Sequence, residues 1–165
     1  MTKSFVPGAD TAREFRDALG CFATGVTIVT AQTESGPIGM TANSFSSLSL
    51  DPPLVLWSPA KTSMRFPHFA NAQHFAIHVM HANQKPVAQA FAKQGDCFSQ
   101  VEWAPNAHGA PVLQNCLSVF ECRQVALHDA GDHAIIVGQV ENATLRSGEP
   151  LVFVRGSFGQ FSPLS

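Results

Sequence analysis

Two long β-prone runs, residues 117–128 and 133–142, meet at Asp129-Ala130-Gly131-Asp132. Turn residues between runs of that length predict a β-hairpin. A hairpin commits its sheet to antiparallel pairing. The rest of the chain has the same grain. Gly25-Val26-Thr27-Ile28-Val29-Thr30-Ala31 is β-branched and reads as a strand, and Glu34-Ser35-Gly36-Pro37 as a turn. A second β stretch, 38–50, ends at Asp51-Pro52-Pro53, where two prolines have no N–H to donate. Residues 54–57, 75–80, 151–154 and 158–161 supply further strands.

Helices are short and few. Thr11-Ala12-Arg13-Glu14 has the form of a capping box, followed by an apolar stripe of Phe15, Ala18 and Leu19 and a stop at Gly20. This predicts a helix over 12–19. A second helix is expected to start at Ser63 with Pro67 in its first turn. A third is expected to be capped by Asn83 and to carry Val87, Ala90 and Phe91. Residues 93–111 read as irregular. Helices that do not alternate with strands exclude a parallel doubly wound sheet. No Gly-x-Gly-x-x-Gly opens a helix after the first strand, so a Rossmann site has no support. The prediction is a mainly β, antiparallel barrel with short flanking helices, one domain over 1–165.

Charged residues make up 13% of the chain, against roughly 25% in an average protein. So thinly charged a surface suits one that is partly covered, by a second copy or a bound cofactor. The net charge of −2, with no basic run, argues against a nucleic-acid partner. No stretch has the roughly 18 apolar residues of a membrane span, and the first residues lack the apolar core of a signal peptide. The expected location is the cytoplasm, where Cys21, Cys97, Cys116 and Cys122 stay reduced. His78 and His81 fall on opposite faces of a strand, with His74 nearby. That spacing predicts no metal site.

Three segments could carry chemistry. In Gly39-Met40-Thr41-Ala42-Asn43-Ser44-Phe45-Ser46-Ser47-Leu48-Ser49, small hydroxyl and amide side chains crowd between strands. They suit the rim of a planar polar ligand such as a flavin, or equally a serine-rich edge closed by local turn bonds. Lys61-Thr62-Ser63 at a helix start suits a phosphate, or is a plain cap beside a solvated lysine. His133, in Gly131-Asp132-His133, enters a strand from a turn. It can face a pocket or simply lie in solvent.

Taken in order, these segments carry a family resemblance. They are Phe22-Ala23-Thr24-Gly25-Val26-Thr27-Ile28-Val29-Thr30 after the first helix, 39–49 with Asp51-Pro52-Pro53-Leu54-Val55, Gly131-Asp132-His133 with Gly138, and Pro150-Leu151. From Arg13 to Phe161 the chain resembles the short flavin reductases of two-component flavin monooxygenases, in the flavin reductase-like, FMN-binding split-barrel group. The resemblance implies a Greek-key split β-barrel and a homodimer. It implies flavin contacts at Thr41, Ala42, Asn43, Ser44, Ser46, Ser47 and Ser49, and phosphate-side contacts at Trp57, Ser58, Lys61, Thr62 and Ser63. It further implies a flavin-contacting Phe98 and a nicotinamide-placing His133. Two positions depart from the family. Cys97 stands where a basic residue is common, and Phe158 where tyrosine is common; the chain has no tyrosine.

The implied activity is hydride transfer from NADH, or NADPH, to FMN or FAD, supplying reduced flavin to a monooxygenase. The lack of an arginine cluster for a 2′-phosphate favours NADH. Two alternatives share the resemblance: a flavin-binding electron carrier or redox sensor without turnover, and an FMN oxidase of the pyridoxamine-phosphate type. The second needs a further basic cluster, but Arg65, Arg123, Arg146 and Arg155 are scattered.

Overall fold

The computed structural model describes residues 2–164; Met1 and Ser165, the ends of the expected 1–165 span, lie outside the described residues. The first helix, α1 (Ala12–Leu19), has the expected bounds, and the Gly20 N–H closes it on Arg16 O at 2.8 Å. Its capping box does not form. Thr11 Oγ1 donates to Val6 O at 2.7 Å, and Glu14 takes Lys3 at 2.8 Å. The extra N-terminal residues thus outcompete the local cap.

Among the described residues, twelve strands stand where the sequence marked eight β stretches. They are β1 (Thr24–Gly25), β2 (Thr27–Thr33), β3 (Gly36–Ala42), β4 (Ser46–Leu50), β5 (Pro53–Trp57), β6 (His74–Val79), β7 (Trp103–Pro105), β8 (Pro111–Leu113), β9 (Ser118–Ala130), β10 (His133–Leu145), β11 (Leu151–Val154) and β12 (Ser157–Gln160). Seven form one antiparallel sheet in the order β3-β2-β6-β9-β10-β5-β4, which is open at β3 and β4. A smaller sheet, β1-β11-β12, leaves it at Val26, whose N–H bonds Leu151 O at 3.2 Å while its carbonyl accepts from Met80 N at 3.0 Å. The β9–β10 hairpin is the expected one, tightened to a two-residue tip. Ala130 pairs with His133, and Gly131 takes φ 69°.

The expected stretch 38–50 is two strands, because residues 43–45 leave the ladder. The second helix, α2 (Phe66–Ala70), starts three residues after Ser63. The third, α3 (Lys85–Lys93), follows a 3-10 turn whose cap is His81, not Asn83. His81 Nδ1 accepts from Asn83 N, and Gln84 Oε1 accepts from His81 N. The irregular span 93–111 holds a 3-10 turn and β7.

The central strands β2 and β6 are buried on both faces, without a break over residues 27–31 and 75–78. Val29, Trp57, Phe69, Phe75 and Ile136 pack on one face; Ile28, Met80, Phe91 and Phe98 pack on the other. Each such side chain contributes about 1.5–3 kcal/mol by leaving water. Helix α3 lies close on β3 because Gly39 has no Cβ. One placed there would stand 2.5 Å from the Phe91 ring.

Candidate active site

Strand β3 ends in a groove of about 290 Å³ lined by Val26, Thr41, Ala42, Asn43, Ala92, Phe153 and Phe158. The chain turns out of the sheet at residues 43–45, and the N–H groups there have no backbone acceptor among the described residues. Asn43 is exposed, and its carboxamide has no protein partner among the described residues. Opposite it, the β11–β12 register sets Phe153 across from Phe158, with ring centroids 5.1 Å apart. Donors facing apolar rings suit a flat heterocycle with carbonyl oxygens along one edge.

Thr41 and Ser44 hold the groove in shape. Thr41 Oγ1 donates to Ala88 O on α3 at 2.6 Å. Ser44 Oγ accepts from Ser58 N at 2.9 Å and donates to Ser58 O at 3.2 Å. Ser58 leads into the segment that docks on the hairpin tip. Ala60 bridges to His133, Lys61 N donates to Asp132 O at 2.9 Å, and Ala134 N donates to Pro59 O at 3.1 Å. The structure therefore joins Thr41–Ser44, Ser58–Lys61 and His133 into one continuous region.

At the tip, His133 Nδ1 lies 2.7 Å from Asp132 Oδ1. A carboxylate only accepts, so Nδ1 carries the proton and Nε2 is the free nitrogen. That bond holds the Asp132 carboxyl below its ordinary range. The Lys61 ammonium is paired with Asp129 and donates to Gly131 O at 2.6 Å, so its present partners belong to the tip.

The remaining expected residues sit apart from the groove. The Trp57 indole is fully buried against Phe69, 5.1 Å between centroids, and its Nε1 has no partner among the described residues. Phe98 is buried edge-on between Phe91 and Trp103. Ser46, Ser47 and Ser49 lie on edge strand β4, paired with β5, and none lines the groove. Ser63 Oγ turns back to Arg65 N at 3.2 Å, and Thr62 is exposed. With α2 starting at Phe66, Lys61-Thr62-Ser63 is a turn rather than a helix start.

Sequence reasoning missed Val26, Ala92, Phe153 and Lys85, whose Nζ lies 5.8 Å from the Phe158 ring centre. A hairpin register for 151–161 would have shown the Phe153–Phe158 pair; Lys85 gave no signal. Sequence spacing also missed a cluster of His74, His108 and Glu141, which the fold gathers from distant segments. A larger cavity of about 480 Å³ near Arg16 and Arg155 contains none of these motifs.

A flavin reductase like domain profile matches residues 19–162. The chain is 58% identical over 158 residues to the FMN reductase (NADH) SmoA of Agrobacterium fabrum, covering 96% of this chain and 91% of that protein. It is 46% identical over 153 residues to the reductase component of a flavin-dependent trigonelline monooxygenase of Acinetobacter baylyi. That match covers 92% of this chain and 49% of that longer protein. The NADH:FAD oxidoreductase SgcE6 of Streptomyces globisporus, solved with NAD and FAD fragments, superposes with a TM-score of 0.89 at 36% identity. That superposition covers 97% of this chain and 98% of that one. The motif order, the groove and these matches agree: the chain belongs to the flavin reductase-like domain family.

Proposed function

We infer that this chain is an NADH-dependent flavin reductase that passes hydride to FMN or FAD and hands the reduced flavin to a monooxygenase. The observation that carries the reading is the groove itself. Asn43 and the open backbone at 43–45 face Phe158, and His133 is tied to the same region through Ser44, Ser58 and Ala60. A bound flavin supplies the hydride acceptor, and NADH, flavin and a proton give NAD⁺ and reduced flavin. Asn43 and the N–H groups of residues 43–45 would hold its carbonyl edge and offset negative charge there. Phe158 would cover one face. Nε2 of His133, oriented by Asp132, would place the nicotinamide carboxamide at attack distance. No side-chain acid or base is required. NADPH is the second donor that the test includes.

The same reading includes a single-domain Greek-key split barrel, supported by the parting of the two sheets at Val26. It includes a homodimer, supported by exposed Leu48, Leu50, Val125 and Leu127 on strands of the large sheet. It includes a cytoplasmic location. Among the described residues no helix is long and apolar enough to cross a membrane. The test is an initial-rate grid of NADH and NADPH against FMN, FAD and riboflavin. Oxidation of NADH that rises with added free flavin is expected. Tight flavin without NADH turnover would instead make the protein a carrier or sensor.

A further inference from the structure

Far from the groove, a bulge in the β9–β10 hairpin creates a second group of chemically active side chains. Val140 pairs with Cys122 and Asn142 with Glu121, so Glu141 is the extra, unpaired residue. Bulges of this kind re-aim a side chain. Glu141 Oε2 lies 3.8 Å from His74 Nε2 at the start of β6, and 3.5 Å from His108 Nε2. The three ligand atoms all fall within 4.8 Å of one another.

The scaffold around them is firm. His108 sits on the loop between β7 and β8, whose shape is set by one side chain. Asn106 Oδ1 accepts from His108 N at 2.9 Å and from Ala110 N at 3.0 Å, while its Nδ2 donates to Glu121 at 2.8 Å. Glu121 also holds Asn142 at 2.6 Å, next to Glu141. Arg123 Nε donates to Glu141 Oε1 at 3.2 Å and so leaves Oε2 as the oxygen that faces both imidazoles. This is the usual outer arrangement that orients a ligating carboxylate.

We propose that His74, His108 and Glu141 form a surface site for a divalent transition-metal ion of the Zn²⁺ class, with a fourth position open to water. Tetrahedral zinc with bonds of about 2.0–2.1 Å needs ligand atoms about 3.3 Å apart. The observed 3.5 and 3.8 Å are a few tenths of an ångström wider. Two imidazoles and one carboxylate favour zinc-like ions over Mg²⁺ or Ca²⁺, which want oxygen. The two rings stack at 3.9 Å with planes 4° apart. An ion must lie near both ring planes, so one ring has to turn. His108, half exposed, has the room. His74 and Val79 end the same strand, about 16 Å apart at roughly 3.3 Å per residue. Val79 pairs with Thr27, the neighbour of groove residue Ala42. The ion therefore ties loop to sheet without touching the groove.

The test is calorimetric titration of chelator-treated full-length protein with Zn²⁺, alongside Mg²⁺. One Zn²⁺ per chain is expected, with no Mg²⁺ binding, and a rise in melting temperature on adding Zn²⁺. His108→Ala and Glu141→Gln should each weaken Zn²⁺ by more than the ~10–100-fold that outer-group changes cost. Both should keep the parent's circular dichroism, flavin affinity and NADH oxidation. No stoichiometric binding by the parent, or parent-like affinity in either variant, overturns the proposal.

Discussion

His133 Nδ1 donates to the carboxylate of Asp132, its neighbour in the hairpin tip, at 2.7 Å. The bond fixes the tautomer and leaves Nε2 as the free nitrogen. His133→Ala should raise the apparent KM for NADH or slow flavin reduction, and Asp132→Asn should do so more weakly. Flavin affinity should change little in either. Stopped-flow reduction of bound flavin separates nicotinamide binding from transfer. Equal rates and equal nicotinamide affinity in His133→Ala would remove the residue from the site; its loss would then cost less than about 0.5 kcal/mol of stability and nothing more.

Asn43 and Ser44 should separate by mechanism, although they are adjacent. Asn43→Ala removes a group with no protein partner, so flavin binding should weaken by on the order of 1 kcal/mol, about fivefold in Kd, at unchanged stability. Ser44→Ala breaks both bonds to Ser58. It should lower the melting temperature and loosen the 58–61 segment, and the double variant should show both losses. Fluorescence titration with thermal melts decides. An unchanged Kd in Asn43→Ala would move the flavin elsewhere.

Stability should fall with mild acid through His78. Its Nδ1 bonds Ile28 O at 2.9 Å, its Nε2 accepts from Leu113 N at 3.0 Å, and burial pushes it from 6.5 down to about 4. The unfolded state binds the proton first, so stability is complete above pH 6.5 and is lost as pH falls towards 4. Between pH 7 and pH 5 the loss should be about 2 kcal/mol. His74, shifted the same way, adds to it. Urea midpoints at the two pH values test this, and a flat profile would contradict it.

Light scattering should give twice the chain mass over a wide concentration range. Leu50 is 96% exposed on edge strand β4. Leu50→Asp should therefore shift the mass towards one chain if that face is the contact. A persistent monomer in the parent would refute the dimer.

The antiparallel hairpin, α1 and the order of the motifs were legible because local pattern decides them. Elsewhere a competing hydrogen bond, or burial, decided. Thr11 prefers Val6 O to its own helix, and His81 caps the turn where Asn83 had the better local form. Trp57 and Phe98 lay in motif positions, yet their rings are core. Family motifs mark a stretch of backbone, whereas burial decides which side chains can reach a ligand. His74, His108 and Glu141 meet only through the β6–β9–β10 register and one bulge, which no sequence spacing encodes.

A tip of two residues acts as a gear stop. With Ala130 opposite His133, one inserted residue would either send the side chains of β10 to the other face or be taken up as a new bulge. Loops ordinarily diversify by growing; at this tip growth disturbs the register of β10, so substitution is the change the fold absorbs without moving a strand.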